Sequence, residues 1–411
     1  MKTTKFKPSE VGPVPVDWEV RKLGELFDFK NGYNADAKNY GRGTPVASVL
    51  DALAERPFKA SSIRARVSAP PRDRESFSLK RGDLIFTRSS ETLEDVGRSN
   101  VYDDEAVAMF GGFVIRGRPK TDNNSTFINL LLKTRGHRDR VMSQGAGAQH
   151  YNIGQSGLER VLVSLPPLPE QKAVAEALSD VDGLLAAMTK LIEKKHAIKQ
   201  GAMQQLLTGK KRLAGFSGKW VEKRLGECST MFAGGTPSSN VDGYYGGAIP
   251  WVSISDISIA GKYIEATSET LTEEGLNNSS AKWYPQNTLL FAMYASIGKC
   301  CIARKRMTSS QAILGIYNFR DVDIEFLYYL LTFRNGEFLT MGQTGTQANL
   351  SKSIVEDVII DAPTLAEQKA IAAVLSDMDA EIAALEAKRA KYESIKQGMM
   401  QELLTGKTRL V

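Results

Sequence analysis

The run Leu-Leu-Thr-Gly-Lys-Thr at residues 403 to 408 ends like a phosphate-binding loop. Such a loop needs a glycine five residues before Gly406, where Gln401 stands, and it lies between a strand and a following helix. Here a helical pattern precedes the run, and an earlier copy of it has Lys211 in place of Ser or Thr. We therefore interpret both copies as helix ends, where glycine can stop the helix and basic residues lie near the negative end of its dipole.

No other catalytic or metal-binding pattern stands out in the sequence. It has no Asn/Asp-Pro-Pro-Tyr/Phe motif, no glycine-rich cofactor turn after a strand and no evident cluster of nuclease carboxylates. The histidines and cysteines are too few and too badly spaced for a zinc site or a disulfide framework: His137, His150, His196, Cys228, Cys300 and Cys301. We expect a chain that is not itself an enzyme and that binds no metal or cofactor.

The distribution of charge makes nucleic acid a reasonable partner. The net charge is +6, and residues 1 to 164 carry 26 Lys and Arg against 20 Asp and Glu, whereas residues 214 to 361 carry 12 against 15. A basic surface attracts the phosphate backbone, but charge alone does not establish DNA binding. Side chains that could read bases must therefore be sought individually.

The side chains suited to reading DNA are Arg, Lys, Asn, Gln, Ser and Tyr on loops held by a sheet. Two such loops follow buried-strand patterns at residues 82 to 87 and 287 to 292, and a dense arginine run that could hold phosphates precedes the first. The candidate DNA-binding residues are Arg64, Arg66, Arg72, Arg74, Arg88, Arg98, Tyr294 and Lys299. The alternative for each is an ordinary solvated side chain on a loop or a charged surface.

The elements that would position these loops occur twice. Residues 168 to 213 return as residues 365 to 410, with roughly half of the positions identical, so the protein is a tandem repeat. Trp-x-x-x-x-Leu-Gly-Glu at 18 to 25 is matched at 220 to 227, and Gly-x-Gln closes both globular segments as Gly147, Gln149, Gly345 and Gln347. For these four residues, a role in a turn that positions the next strand is favoured over a DNA contact.

Each long repeat is predicted to be a helix of about 38 residues, or roughly 57 Å at about 1.5 Å per residue. Its apolar residues recur at alternating spacings of four and three, which is typical of a coiled-coil seam. The seam residues are Val174, Leu178, Val181, Leu185, Met188 and Ile192 in the first helix and Ile371, Leu375, Met378, Ile382 and Leu385 in the second. Neither helix can bury its seam alone, so we predict that the two pack against each other.

The globular segments mix short strand patterns, as at residues 113 to 116, 249 to 252 and 358 to 360, with short helical patterns, as at 126 to 133 and 324 to 332. This mixture predicts an α+β fold. The predicted organisation is a globular domain at 1–164, a central helix at 165–213, a second globular domain at 214–361 and a C-terminal helix at 362–411. No apolar run is long enough for a membrane span and the N-terminus lacks a signal-peptide core, so a cytoplasmic protein without a membrane partner is expected.

Over essentially its whole length the chain resembles the specificity (S) subunit of type I restriction-modification enzymes. The resemblance rests on Trp-x-x-x-x-Leu-Gly-Glu, Gly-Gly-Thr-Pro at 234 to 237, Gly-x-Gln and the two Leu-x-Glu-Gln-Lys helices. It implies two target recognition domains, each reading one half of a bipartite asymmetric DNA site, separated by two conserved helices that form an antiparallel coiled coil. Ala366 departs from the family's proline, present as Pro169 in the first copy, but proline in a first helical turn is dispensable.

The resemblance also implies partners and cofactors. The helices would dock two modification subunits, which bind S-adenosylmethionine and methylate adenine, and the restriction subunits, which supply the motor and nuclease, would join through them. S-adenosylmethionine, ATP and Mg²⁺ are therefore expected on partner subunits and not on this chain. The alternative is a non-enzymatic coiled-coil scaffold with two protein-binding domains, whose DNA binding would be indifferent to sequence.

Overall fold

The computed structural model describes residues 4–147, 150–342 and 349–410. Two compact units divide the chain, unit 1 with Met1–Thr189 and Ala387–Val411 and unit 2 with Lys190–Glu386. Both boundaries between the units fall inside the two long helices, Leu168–Leu206 and Leu365–Leu403. Each unit therefore contains one globular segment and a part of each long helix.

Unit 1 is a mixed α and β structure. Its strands are β1 (Phe6–Lys7), β2 (Val14–Pro15), β3 (Glu19–Lys22), β4 (Phe27–Asn31), β5 (Tyr40–Ala47), β6 (Arg66–Val67), β7 (Leu84–Thr87), β8 (Ser89–Ser90), β9 (Ser99–Val101), β10 (Met109–Phe110), β11 (Val114–Pro119), β12 (Tyr151–Asn152) and β13 (Leu162–Leu165). Its helices are α1 (Leu23–Leu26), α2 (Val49–Leu53), α3 (Pro71–Ser76), α4 (Ser125–Leu132), α5 (Arg135–Met142), α6 (Gln155–Arg160) and the first part of α7 (Leu168–Leu206). The main sheet has the order β4-β11-β7-β9, and a three-stranded sheet has the order β10-β5-β6.

Unit 2 repeats this architecture. Its strands are β14 (Val221–Arg224), β15 (Thr230–Ala233), β16 (Tyr245–Val252), β17 (Tyr263–Ile264), β18 (Glu269–Leu271), β19 (Leu289–Ala292), β20 (Cys300–Ala303), β21 (Thr308–Ser309), β22 (Ile313–Tyr317) and β23 (Ile359–Ala362). Its helices are α8 (Leu225–Cys228), α9 (Ile254–Ile259), α10 (Glu273–Asn277), α11 (Ile324–Phe333), α12 (Asn335–Gly342), α13 (Lys352–Glu356) and the first part of α14 (Leu365–Leu403). The main sheet, β15-β22-β19-β20-β17, extends the strand order of unit 1 by one strand, and the α+β prediction is confirmed.

The central strand of each main sheet is buried over its whole length. Every residue of β7 and of β19 is buried, because strands flank both edges and helices and loops cover the faces. Phe86 lies opposite Ile115, and Phe291 lies opposite Leu314, in antiparallel register with β11 and β22 respectively. The loops that follow these strands therefore start from rigid points.

The glutamine of each Glu-Gln-Lys motif makes the same contact in both units. Gln171 accepts a hydrogen bond from the backbone N–H of Asn124 at 2.9 Å, and Gln368 accepts one from Asp323 at 2.8 Å. Asn124 and Asp323 are the N-caps of α4 and α11. The side-chain oxygen of each cap accepts a hydrogen bond from a backbone N–H in the first turn of its helix. Each glutamine thus ties the start of a long helix to a short helix of its own unit.

The glutamate of each motif is buried and paired with an arginine. Glu170 accepts hydrogen bonds from Arg409 at 2.5 and 2.6 Å, and Arg409 also binds Asp17 at 2.7 Å and lies 5.9 Å from the ring centre of Trp18. These hydrogen bonds to Glu170 and Asp17 raise the pKa of Arg409. The repeated Trp, Glu and Arg residues, which are far apart in the sequence, therefore meet in unit 1.

Unit 2 contains the counterpart of this pair. Arg212 binds both oxygens of buried Glu367 at 2.5 Å, and its guanidinium lies 5.9 Å from the ring centre of Trp220. In each unit the arginine follows the end of one long helix and the glutamate lies at the start of the other. Gly209 and Gly406, which precede these arginines, have φ values of 66° and 69°, the left-handed conformation that terminates helices.

The segments of α7 and α14 within each unit run antiparallel. In unit 1, Glu170 pairs with Arg409, and Asp182, which lies later in α7, pairs with Lys396 at 2.6 Å. The later residue of α7 thus has the earlier partner in the second repeat, which is the order of an antiparallel pair. In unit 2, Lys199 pairs with Asp379 in the same manner, and these two residues occupy the same repeat positions as Lys396 and Asp182. The predicted antiparallel packing of the two helices is confirmed within each unit.

The predicted seam residues are buried or half-buried. Buried are Val174, Leu178, Leu185, Met188, Ile192, Ile371, Leu375 and Ile382, and half-buried are Val181, Met378 and Leu385. Val174 shares the core of unit 1 with Leu403, and Ile371 shares the core of unit 2 with Met203. The helices therefore complete the cores of the globular segments, and the compact units divide the chain differently from the four predicted segments.

Candidate nucleic-acid interface

Arg88 directly follows the central strand β7 and is held by its neighbours. Its backbone N–H donates to the carbonyl oxygen of Phe113 at 2.9 Å, and its own carbonyl accepts from the N–H of Ile153 at 2.9 Å. The half-buried guanidinium lies 3.5 Å from the carbonyl oxygen of Gly112. The start of the first predicted DNA-reading loop is thus fixed to the turn before β11 and to the residue that follows β12.

Arg98 ends the same loop and lines a cavity of about 240 Å³ with two further cations, Lys133 and Arg138. Arg98 pairs with Asp95 at 3.1 Å. Burial lowers the pKa of Lys133 and lowers that of Arg138 to about 10, so both cations are partly desolvated. Neither was predicted: Arg138 belongs to a basic run at 135 to 140 that could have indicated it, whereas Lys133 had no signal in the sequence.

The structure places the predicted arginine run on two consecutive elements. Arg64 is exposed just before β6, and Arg66 is half-buried within β6, opposite Pro45 of β5. Arg72 and Arg74 are exposed on the short helix α3. The exposed arginines are accessible to phosphates.

Tyr294 and Lys299 lie on the loop that follows β19 in unit 2. Tyr294 is half-buried, packs against the unit 2 core and forms a bridge with Asn349. The loop turns back at Lys299, whose carbonyl accepts from the N–H of Ala292 at 2.8 Å, and the Lys299 side chain is exposed. Of the two candidates, Lys299 is the more exposed to solvent.

Gly147 forms a close turn at the end of the first globular segment. Its φ is 143°, and a Cβ at this position would lie 1.9 Å from the carbonyl oxygen of His150. This geometry favours the turn interpretation for Gly147. Gln149, Gly345 and Gln347, which belong to the same prediction, lie outside the described residues.

Phe113 corrects one expectation drawn from the sequence. It was predicted to begin a strand, but β11 begins at Val114, and Phe113 is 70% exposed at the rim of an apolar groove of about 560 Å³. The preceding Gly111 and Gly112 were the available signal for a turn. An apolar surface thus lies beside Arg88 in the first domain.

Within residues 4–147, 150–342 and 349–410, no helix is long and apolar enough to cross a membrane. The same ranges contain no group of three or more His, Cys, Asp or Glu residues that could hold a metal ion.

Comparison with known proteins identifies the family. The sequence profile of the Type I restriction modification DNA specificity domain matches residues 15–197 and 217–396. The chain is similar to the type I restriction enzyme MjaVIII specificity subunit of Methanocaldococcus jannaschii, with 23% identity over 436 residues that cover 100% of this chain and 97% of the relative. It is also similar to the type I restriction enzyme EcoR124I/EcoR124II specificity subunit of Escherichia coli, with 23% identity over 63% of this chain and 65% of the relative.

A solved structure has the same fold. The crystal structure of the type I restriction-modification system S subunit from M. genitalium matches 98% of both chains with a TM-score of 0.61, at 14% sequence identity. Both globular segments, with most of both helices, fall within the two profile matches. The chain therefore belongs to the type I restriction-modification DNA specificity family, with one copy of the family's domain in each half of its sequence.

Proposed function

We propose that this chain is the DNA-recognition subunit of a type I restriction-modification complex and that each globular domain reads one half of a bipartite asymmetric site. The observation that carries the proposal is a shared scaffold with unlike loops. Both units have four strands of the main sheet in the same order and the same Glu–Arg pair, yet Arg88 follows β7 where Met293 follows β19. Two domains that share a scaffold but have different side chains at equivalent positions are suited to recognising two different DNA sequences.

The proposed role is recognition and not catalysis. S-adenosylmethionine would bind to modification subunits, and ATP and Mg²⁺ would act on the restriction subunits, while this chain selects the DNA site. We also propose that the protein acts in the cytoplasm, where a restriction-modification complex would meet its DNA. The side chains best placed for phosphates and bases are Arg64, Arg72, Arg74 and Lys299, which are exposed, and Arg88, which is half-buried at the start of the first loop.

The direct experiment uses the complex with its modification subunits. Methylation mapping gives the bipartite site, and retardation of a duplex with that site is compared with duplexes in which one half is scrambled. We expect each scrambled half to weaken binding by at least about 100-fold, because each wrong base pair costs about 1 to 3 kcal/mol. Binding that is indifferent to sequence would contradict the proposal and would support the protein-binding scaffold instead.

Residues on the exposed sides of the two long helices are also repeated, and this repetition supports the binding of two identical partner subunits. Ile198 and Ile395 occupy the same repeat position and are 46% and 41% exposed. The exposed residues Lys194, Gln204, Lys391 and Gln401 repeat around them. An apolar side chain exposed at the same position of both helices fits one kind of protein bound twice. We propose that each isoleucine contacts one modification subunit.

Replacing both isoleucines, by Ile198→Asp and Ile395→Asp, should weaken binding of the modification subunit at least tenfold. The exposed half of each side chain would lose roughly 0.7 to 1.5 kcal/mol of apolar burial, and a carboxylate would be desolvated in its place. Thermal unfolding should change little, because both side chains are exposed. Native mass spectrometry of each single variant should show complexes with one modification subunit. The control is Leu184→Asp, since Leu184 is exposed but its repeat counterpart is Glu381. An equal loss in the control, or none in the double variant, would exclude this surface.

A further inference from the structure

The apolar groove beside Arg88 lies wholly within unit 1. Its walls include Ala35, Val46, Val49 and Ala65, and Leu50, which is 74% exposed, lies with Phe113 along the same groove. Exposed apolar side chains around a concave apolar surface mark an interaction site in soluble proteins. We call these residues the Phe113 groove.

The turn that carries Phe113 is rigidly held. The N–H of Gly111 donates to the carbonyl of Ala47 at 2.9 Å, and the N–H of Val114 donates to that of Gly111 at 3.0 Å. The carbonyl of Phe113 accepts the hydrogen bond from Arg88. The backbone of Phe113 is therefore held in place, and little backbone entropy would be lost when this residue binds a partner.

Three arginines lie next to residues of the Phe113 groove. Ala65 in its wall lies between Arg64 and Arg66 in the sequence, and the guanidinium of Arg88 contacts the carbonyl of Gly112, which also lines the groove. Within the described residues, Nη1 of Arg66 is buried without a hydrogen-bond partner. Apolar walls beside arginines suit a ligand with apolar groups on an anionic backbone, as DNA has.

We propose that the Phe113 groove packs against the 5-methyl groups of thymines in the half-site read by unit 1, an inference that rests on the proposed function. Phenylalanine and alanine are among the side chains that contact the thymine methyl in the major groove. Arg88 and the neighbouring arginines would hold the phosphates or purine edges alongside.

Unit 2 provides an internal comparison. The N–H of Met293 donates to the carbonyl of Ala312 at 2.8 Å, just as the N–H of Arg88 donates to that of Phe113 at 2.9 Å. Ala312 therefore occupies the position of Phe113 but lacks the large apolar side chain. A large exposed apolar side chain at this position is thus a feature of unit 1, and the proposed contact through Phe113 concerns the half-site of unit 1 alone.

The test replaces each thymine of the mapped site in turn by deoxyuridine, which lacks only the methyl group, and measures affinity for the complex with modification subunits. For the wild type, one or more substitutions in the unit 1 half-site should weaken binding about fourfold, the factor for one buried methyl group. With Phe113→Ala, overall binding should weaken and the same substitutions should have no further effect. Substitutions in the other half-site should act equally on both proteins. The control variant is Ile259→Ala, which removes an exposed apolar side chain of unit 2.

The outcomes separate this contact from the proposed function. Equal effects of deoxyuridine on the wild type and on Phe113→Ala would overturn the methyl contact, as would a unit 1 half-site without thymine. Loss of the modification subunits from Phe113→Ala would identify the groove as a protein-docking surface and would also overturn it. If the wild-type complex shows no sequence preference at all, the proposed DNA-recognition role itself fails.

Discussion

Arg409→Ala should lower the free energy of unfolding by about 3 to 5 kcal/mol, because it leaves the carboxylate of Glu170 buried without its partner. That is a large part of the roughly 5 to 15 kcal/mol that stabilises a typical domain. Hydrogen exchange should locate the loss in unit 1, with faster exchange at β7 than in the wild type and little change at β19. Arg212→Ala should produce the opposite pattern, because it breaks the pair with Glu367 in unit 2.

Two further variants test the cause of this effect. Arg224→Ala removes an ion pair with Asp357 in which both side chains are exposed, and we expect it to cost less than about 1 kcal/mol. Adding Glu170→Gln to Arg409→Ala should restore part of the stability, because a neutral amide is less costly to bury than an unpaired charge. If Arg409→Ala is no more destabilising than Arg224→Ala, the buried pair does not stabilise unit 1.

Exchange of residues 25 to 145 for the matching segment of another specificity subunit should change one half of the recognised DNA site completely. The Trp18, Glu170 and Arg409 contacts lie outside this segment, and the bond from Asn124 to Gln171 uses a backbone N–H that any residue except proline supplies. The scaffold should therefore accept the new segment. Preference for the original half-site should fall by roughly 1,000-fold or more, the usual margin between specific and non-specific binding.

Methylation mapping of the exchanged protein measures both halves at once. The half read by unit 2 should remain unchanged, because β19 and the loop with Tyr294 and Lys299 are built within residues 190 to 386. The reciprocal exchange in unit 2 is the matched control and should alter only the other half. A change in both halves after either exchange would show that the two domains do not read independently.

Local patterns predicted much of the fold. The alternating spacing from Val174 to Ile192 indicated a helix, and the runs at 82 to 87 and 287 to 292 indicated the strands β7 and β19, because burial on both faces requires uninterrupted apolar residues. The repeated Trp, Glu and Arg residues indicated a tandem repeat but not their purpose. These residues come into contact because particular helix ends lie side by side. Which helix ends do so is a tertiary property that leaves no local signal in the sequence.

The candidate site was predicted less well. The loops after the central strands could be located, but the exposure of a side chain within a loop depends on contacts from other elements. Tyr294 is half-buried because it packs against the unit 2 core, and Arg66 is half-buried because it lies within β6. Phe113 was taken for the first residue of a strand because an apolar residue beside a strand gives the same local pattern whether it belongs to the strand or ends a turn.

The position of Arg409 has a consequence for synthesis on the ribosome. The core of unit 1 includes Leu403 and Leu404, and Glu170 pairs with Arg409, so this unit stays incomplete until residue 409 has been made. Unit 2 has all of its residues by Glu386. At about 5 to 20 residues per second, unit 1 waits roughly 10 to 40 s after its first part has been translated. The domain that is synthesised first is therefore the last to finish folding, and during that interval its unfilled core is the part of the nascent chain most in need of a chaperone.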